Sequence, residues 1–227
     1  RFSVEDALKR AIEMIANGAD WIDIGGESTR PGASSVSIDE EIQRVIPVIK
    51  QLRKENDNIL ISIDTRNHQV ARLALESGAD MINDVSGLRS QEMVDLVIEA
   101  QCAVCIMHMN GEPGNMQDNP IYEDVVEEVA SYLEQQAKKL VDRGFPKELI
   151  LIDPGVGFGK SQQHNLSLMK SVKRFEESGY GILWGISRKS VIGHLTGKDS
   201  ASDRLAGTLA TSLFAAQSGV DMLRVHD

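Results

Sequence analysis

Asp64, Asn83, Asp84, His108 and Asp153 each stand at the end of a short aliphatic run. So do three mixed groups: Glu27, Thr29 and Arg30; Ser187, Arg188 and Lys189; Arg224 and His226. Carboxylates and an amide set side by side make an acceptor wall suited to a flat heterocycle rich in N–H donors, such as a 2-amino-4-oxo pyrimidine edge. Arg, Lys and His suit a phosphate or diphosphate tail. Simpler roles compete with these. Asp64, Asp84 and Asp153 sit where the N-caps of following helices belong. Asn83 follows Ile82 in an apolar run, and a buried amide must be hydrogen-bonded, which favours function. His108 fits packing as well as chemistry, whereas His68, His164 and His194 fall in helix or loop contexts typical of a surface. Arg224 and His226 end the last apolar run, where two cations call for an anion.

The elements that must position these residues follow from periodicity. Val4, Ala7, Leu8, Ala11, Ile12 and Ile15 repeat with a helical period behind Ser3, a good N-cap. A strand over 21–24 leads into the Gly-rich loop 25–32, and Ser37 with Glu40 three residues on marks the next helix. The alternation continues with strand 59–63, helix 67–77, strand 81–83, helix 90–100 and strand 103–107. After a Gly/Pro loop at 110–120 come helix 122–143, strand 149–152, helix 163–177, strand 181–186, helix 201–217 and strand 221–225. Apolar strands alternating with helices imply a parallel sheet covered by helices. Asn17-Gly18-Ala19-Asp20, Ser77-Gly78-Ala79-Asp80 and Ser218-Gly219-Val220-Asp221 repeat one helix-end device, as a quasi-symmetric ring of units would. Seven helices and seven strands, helix first and strand last, are expected to form a (β/α)8 TIM barrel, in a single domain over 1–227, without its first strand and last helix. An open doubly wound sheet is the competing architecture, but no Gly-x-Gly-x-x-Gly turn joins a strand to a helix. In a barrel the strand C-termini share the face where ligands bind, so the polar residues above are expected to converge.

Composition sets the outer limits. The 227 residues carry 24 Lys+Arg against 34 Asp+Glu, a formal charge of −10, which opposes binding to nucleic acid or an anionic membrane surface. No apolar run is long enough to span a bilayer and no basic-then-apolar leader is present, so a cytoplasmic setting is expected. Cys102 and Cys105 have metal-site spacing but lie across a strand, where positions three apart face opposite ways, and are expected to be buried thiols. Gly155-Val156-Gly157-Phe158-Gly159-Lys160 lacks the full phosphate-loop pattern and reads as a close-packed loop. There is no nucleophile elbow and no zinc His-Glu-x-x-His.

Seven segments taken in order resemble successive motifs of the dihydropteroate synthase family. They are Gly26-Glu27-Ser28-Thr29-Arg30-Pro31-Gly32, Ile63-Asp64-Thr65, Ile82-Asn83-Asp84-Val85-Ser86-Gly87, Met107-His108-Met109, Asp153-Pro154-Gly155-Val156-Gly157-Phe158-Gly159-Lys160, Gly185-Ile186-Ser187-Arg188-Lys189-Ser190 and Arg224-Val225-His226-Asp227. The resemblance implies condensation of dihydropterin-CH2-diphosphate with 4-aminobenzoate in folate synthesis, with sulfonamides competing near Arg30. It implies a pterin slot of Asp64, Asn83, Asp153, Lys189, Met107, Gly157 and Phe158. It implies a diphosphate site of Thr29, Arg224, Val225 and His226, and an aminobenzoate pocket of Thr29, Arg30, Pro31, Ser187 and Lys189. It also implies Mg2+, held by an Asn upstream of Arg1 in an opening loop of the type Asn-Val-Thr-Pro-Asp-Ser-Phe that this sequence does not contain, and a homodimer through C-terminal helices. The chain is on this reading an excerpt of a longer protein or an incomplete catalyst. Arg66 stands where the family often has an aromatic and Asn110 where it often has Gln. A corrinoid-linked pterin methyltransferase and a catalytically silent pterin-binding barrel are the alternatives. Methyl transfer has no diphosphate to hold, so Ser28-Thr29-Arg30-Pro31-Gly32 and Ser187-Arg188-Lys189 favour the synthase.

Overall fold

The computed structural model describes residues 3–29, 35–111, 116 and 120–226. The chain runs α1 (Val4–Ala16), β1 (Trp21–Gly25), α2 (Ile38–Glu55), β2 (Leu60–Asp64), α3 (His68–Glu76), β3 (Met81–Asp84), α4 (Gln91–Ala100) and β4 (Ala103–Met107). It continues with α5 (Val125–Val141), β5 (Ile150–Asp153), α6 (Gln162–Lys170), α7 (Val172–Glu176), β6 (Gly181–Trp184), α8 (Ser190–Thr196), α9 (Leu205–Gln217) and β7 (Met222–Leu223). The seven strands are parallel and lie side by side in chain order, the arrangement of a barrel wall rather than of a doubly wound sheet, whose strand order reverses. The wall curls so that long side chains bridge its two ends. Beyond β7, Arg224 reaches Asp23 of β1, and Arg10 of α1 donates to the His226 carbonyl at 2.9 Å.

The repeated helix-end device has one physical form in all three copies. Gly18, Gly78 and Gly219 take φ of +96°, +107° and +96°, which only glycine adopts without strain. The next residue's N–H returns to a carbonyl five back, from Ala19 to Met14 at 3.0 Å, Ala79 to Ala74 at 2.9 Å and Val220 to Ala215 at 3.1 Å. The aspartates of the second and third copies then accept the N–H of a neighbouring strand, Ile61 to Asp80 and Ile182 to Asp221, both at 2.8 Å.

Strand alternation splits the side chains into two populations. Ile22, Ile24, Ile61, Ile63, Ile82, Val104, Ile106, Ile150, Ile152, Ile182 and Trp184 pack outward in one core with the helices. Inside, Met81, Cys105 and Leu183 cluster with Trp21, Leu151 and Met222 to plug the floor. Along the same strands the inner face then turns polar, through Asp23, Ser62, Asp64, Asn83, Asp153 and Arg224. The site is therefore the upper half of the interior, resting on an apolar floor.

Several boundaries differ from the sequence expectation. The helix expected over 163–177 breaks at Ser171, whose ψ of +32° interrupts the ladder and yields α6 and α7. The helix expected over 201–217 opens with a 3-10 turn at Ala201–Arg204. Helix α8 is too short for its period to be visible beside the Ser-Arg-Lys segment. Strand 221–225 contracts to β7, although Arg224 still donates its N–H to the Trp184 carbonyl at 2.8 Å. Cys105 is buried and Cys102 half-buried, on opposite sides of the strand. No helix among the described residues is long and apolar enough to cross a membrane.

Candidate active site

Register sets the first layer of the site. Asp64, the last residue of β2, pairs in register with Asn83 of β3, and Met107 of β4 pairs with Asp153 of β5. All four are buried, with Asp64, Asn83 and Asp153 between 6% and 8% exposed. Three polar side chains are thus held at the top of an apolar floor by strands that allow them no other direction.

The cations arrive from the last third of the chain. Arg224 donates from Nε to Asp23 Oδ2 at 2.5 Å and from Nη2 to Asp64 Oδ2 at 3.0 Å. Asp23 also accepts the Ser62 hydroxyl. Lys189 donates to the Val156 carbonyl at 2.5 Å, and its Nζ lies 4.3 Å from the Phe158 ring centroid, a cation–π contact. Gly185 lies between the two cations, since a Cβ there would come within 3.9 Å of Arg224 and 4.0 Å of Lys189 Nζ. Ser187 Oγ lies 3.1 Å from His226 Nδ1 and accepts the His226 backbone N–H at 3.3 Å, which joins the expected aminobenzoate and diphosphate groups.

The electrostatics follow from this burial. Asp64 is raised to about 7, first by loss of water and next by the Asp23 carboxylate, with the Arg224 guanidinium opposing. Burial also raises Asp153, against the pull of Lys189. Burial lowers Lys189 to about 8, against Asp153. Asp23 holds Arg224 firmly protonated. Acceptors and cations are therefore poised against one another at one mouth, the arrangement that a ligand with a donor-rich head and an anionic tail would relieve.

Not every residue picked out by sequence faces the mouth. Asp84 folds its own loop, accepting the Ser86 N–H at 2.8 Å, the Ser86 hydroxyl at 2.6 Å and the Leu88 N–H at 2.9 Å. Glu27 accepts the Val36 N–H at 3.1 Å and pairs with Arg66 through Nε at 3.1 Å and Nη2 at 3.2 Å. His108 turns to Lys160. Thr29 follows β1 at the same end of the wall, and Val225 is exposed between Arg224 and His226. Arg30, Pro31 and Asp227 lie outside the described residues. Asp23 was missed: it sits inside β1 rather than after it, and its signal was an acid within the apolar run Trp21-Ile22-Asp23-Ile24. Glu41, 1% exposed, was missed as well. It accepts from the Thr65 hydroxyl and from Asn67 Nδ2, both at 2.6 Å, and so fixes the turn that follows Asp64.

Among the described residues no group of three or more His, Cys, Asp and Glu side chains gathers in a way that would hold a metal ion. Both Asp23 oxygens and Asp64 Oδ2 already accept from Ser62 and Arg224, so this corner does not fit a divalent ion.

A family model described as "Pterin binding enzyme" matches residues 1–226. Dihydropteroate synthase of Haemophilus influenzae is 42% identical over 226 residues, spanning 100% of this chain and 82% of that protein. A solved structure of Xanthomonas albilineans dihydropteroate synthase with 4-aminobenzoic acid superposes with a TM-score of 0.94 at 44% identity, covering 100% of this chain and 81% of that one. Another from the same organism, in complex with 7,8-dihydropteroate, gives 0.90 at 39% identity, covering 100% and 80%. These neighbours make the curled wall part of a TIM barrel and favour the synthase over the methyl-transfer and silent-barrel alternatives. The chain belongs to the dihydropteroate synthase family of pterin-binding enzymes.

Proposed function

We propose that the mouth of this wall joins (7,8-dihydropterin-6-yl)methyl diphosphate to 4-aminobenzoate, giving 7,8-dihydropteroate and diphosphate. The observation that carries this is the buried row Asp64, Asn83 and Asp153 opening on the same mouth as Arg224, Lys189 and the Ser187–His226 pair. The row takes the pterin edge by accepting its ring and amino N–H groups, with Asn83 able both to donate and to accept. Met107, Gly157 and Phe158 form the apolar sides of the slot. Arg224 and His226 hold the diphosphate, with Thr29 and the Val225 backbone beside it. Thr29, Arg30, Pro31, Ser187 and Lys189 receive 4-aminobenzoate.

The chemistry asks little proton transfer of the protein. The C–O bond between the methylene and the diphosphate breaks with its electron pair leaving on oxygen, and the cationic rim stabilises that charge. The remaining methylene cation is delocalised into the ring, where ionised Asp64 and Asp153 stabilise it. The aniline nitrogen then forms the C–N bond and sheds a proton to water. Mg2+ belongs to this reading through the family, but the described residues supply no centre for it, and no step above is assigned to a metal. Two free thiols suit a reducing cytoplasm. The exposed leucines of α9, Leu205, Leu209 and Leu213, offer an apolar face for a homodimer.

The test is calorimetry with the pterin diphosphate, paired with an assay for released diphosphate with and without 4-aminobenzoate. Binding followed by release supports the reading. Binding with no release in the presence of 4-aminobenzoate overturns it.

A further inference from the structure

Lys160 ends the Gly-rich segment after β5, is 3% exposed, and has no assigned role in the site described above. Its Nζ lies within hydrogen-bond distance of four groups, three of them carbonyl acceptors. They are His108 Nδ1 at 3.0 Å, the His108 carbonyl at 3.2 Å, the Gly155 carbonyl at 3.0 Å and the Phe158 carbonyl at 2.9 Å. An ammonium has three protons, so every donor is engaged, and no carboxylate is hydrogen-bonded to it. Burying a cation in this way is costly unless its partners are fully organised. The loop is wound to supply them: Gly155, Gly157 and Gly159 all have positive φ, from +62° to +88°, and a Cβ on Gly155 would lie 1.9 Å from the His108 carbonyl.

The opposite side of the same loop faces Lys189. Val156 accepts from Lys189, Phe158 stacks beneath it, and Gly157 leaves room for its stem, since a Cβ there would come within 3.2 Å of Lys189 Cδ. The segment is held between two lysines, one in the pterin slot and one beneath it. Removing the lower one would leave the carbonyls of Phe158 and His108 without their lysine donor in a buried space, and the Gly155 carbonyl with only the Phe158 N–H at 3.0 Å, so the loop would have to turn them elsewhere. Phe158 and Gly157 would move with it.

We propose that Lys160 is a positioning residue of the pterin slot, serving as the template on which the 155–159 loop winds so that Phe158 is presented beneath Lys189. The proposal rests on the pterin reading of that slot. It is specific to the head of the substrate, because Arg224 and His226 lie beyond β7 and are bonded to Asp23, Asp64 and Ser187.

The test is calorimetry on the wild-type chain, Lys160→Met, Phe158→Ala and the double variant, with 6-hydroxymethyl-7,8-dihydropterin and inorganic diphosphate titrated separately. Lys160→Met is expected to weaken the pterin by about tenfold, and to add little once Phe158 is already Ala, the non-additivity of residues that act through one another. Diphosphate affinity is expected to stay within about twofold. Equal losses for both ligands, additive losses in the double variant, or unchanged pterin affinity would each overturn the proposal. If Lys160→Met does not fold, Lys160→Arg serves in the same cycle, because a planar fork cannot reproduce four convergent contacts. A wild-type chain that binds no pterin would instead refute the reading of the slot.

Discussion

Arg224 Nη2 donates to Asp64 Oδ2 at 3.0 Å, so the residue assigned to the diphosphate also touches the residue assigned to the pterin. Head and tail recognition therefore share a contact. Arg224→Ala is expected to weaken the diphosphate-bearing substrate more than the pterin that lacks the tail, but to weaken both near neutral pH. Loss of the guanidinium removes the cation that is hydrogen-bonded to Asp64 and opposes its raised pKa. At higher pH, where Asp64 is ionised even without Arg224, the effect on the tail-less pterin should shrink while the tail-specific loss persists. Calorimetry with the two ligands on either side of pH 7 checks this, and equal losses at all pH values would refute the tail assignment.

The elevated Asp64 also makes a statement about stability. An acid raised from 3.8 to about 7 on folding binds more protons in the native state than in the unfolded chain between those values. Its contribution to stability is fully present below 3.8 and is lost as pH climbs to about 7. Asp64→Asn removes this dependence. The melting temperature of the variant is expected to gain on wild type as pH rises through that window and to hold its lead above it. A difference independent of pH would show that Asp64 is not the elevated acid. The same variant should bind pterin poorly, since an amide cannot replace an ionised acceptor facing N–H donors.

Much of this architecture was legible because parallel strands carry a binary code. Asn83 announced itself as an amide in an apolar run, and the structure places it in register with Asp64. Asp23 carries the same signal one step deeper, inside β1 rather than at its end, because the polar layer begins within that strand. Asp84 shows the converse. It follows Asn83 directly, and the alternation of a strand turns it to the helical side, where it staples its own loop. Lys160 was illegible for another reason: its partners are backbone carbonyls turned inward by left-handed glycines, and side-chain types do not encode carbonyl directions.

Those glycines separate fold from function. At Gly155, with φ of +67°, a methyl group would strike the His108 carbonyl, and neither strand end can yield. Gly155→Ala is expected to cost on the order of 2–4 kcal/mol in chemical denaturation, combining backbone strain with overpacking. Gly157→Ala meets only the flexible Lys189 stem at 3.2 Å. It should cost about 1 kcal/mol from its positive φ, yet weaken pterin binding by displacing Lys189. Similar stability losses with intact pterin binding in both variants would contradict the placement of this loop.

Arg66 tests the neck of the loop that carries Thr29. Glu27, with a side chain 10% exposed, accepts the Val36 N–H and both arms of Arg66, so one carboxylate ties the two ends of the 27–36 segment to the turn directly after Asp64. Arg66→Met keeps the aliphatic stem and removes the fork. The pair is partly exposed, so its loss should change stability by less than about 1 kcal/mol. Its effect should fall on geometry instead, because the neck keeps its Val36 bond but loses its tie to the second loop. The expected result is a KM for 4-aminobenzoate raised by about three- to tenfold, with the pterin KM within about twofold of wild type. Glu27→Gln retains an acceptor for Val36 but weakens the charged fork, and should reproduce the Arg66→Met effect without adding to it in the double variant. Steady-state kinetics with each substrate varied in turn separates the two KM values, and a rise confined to the pterin would show that Arg66 serves Asp64 rather than the Thr29 loop.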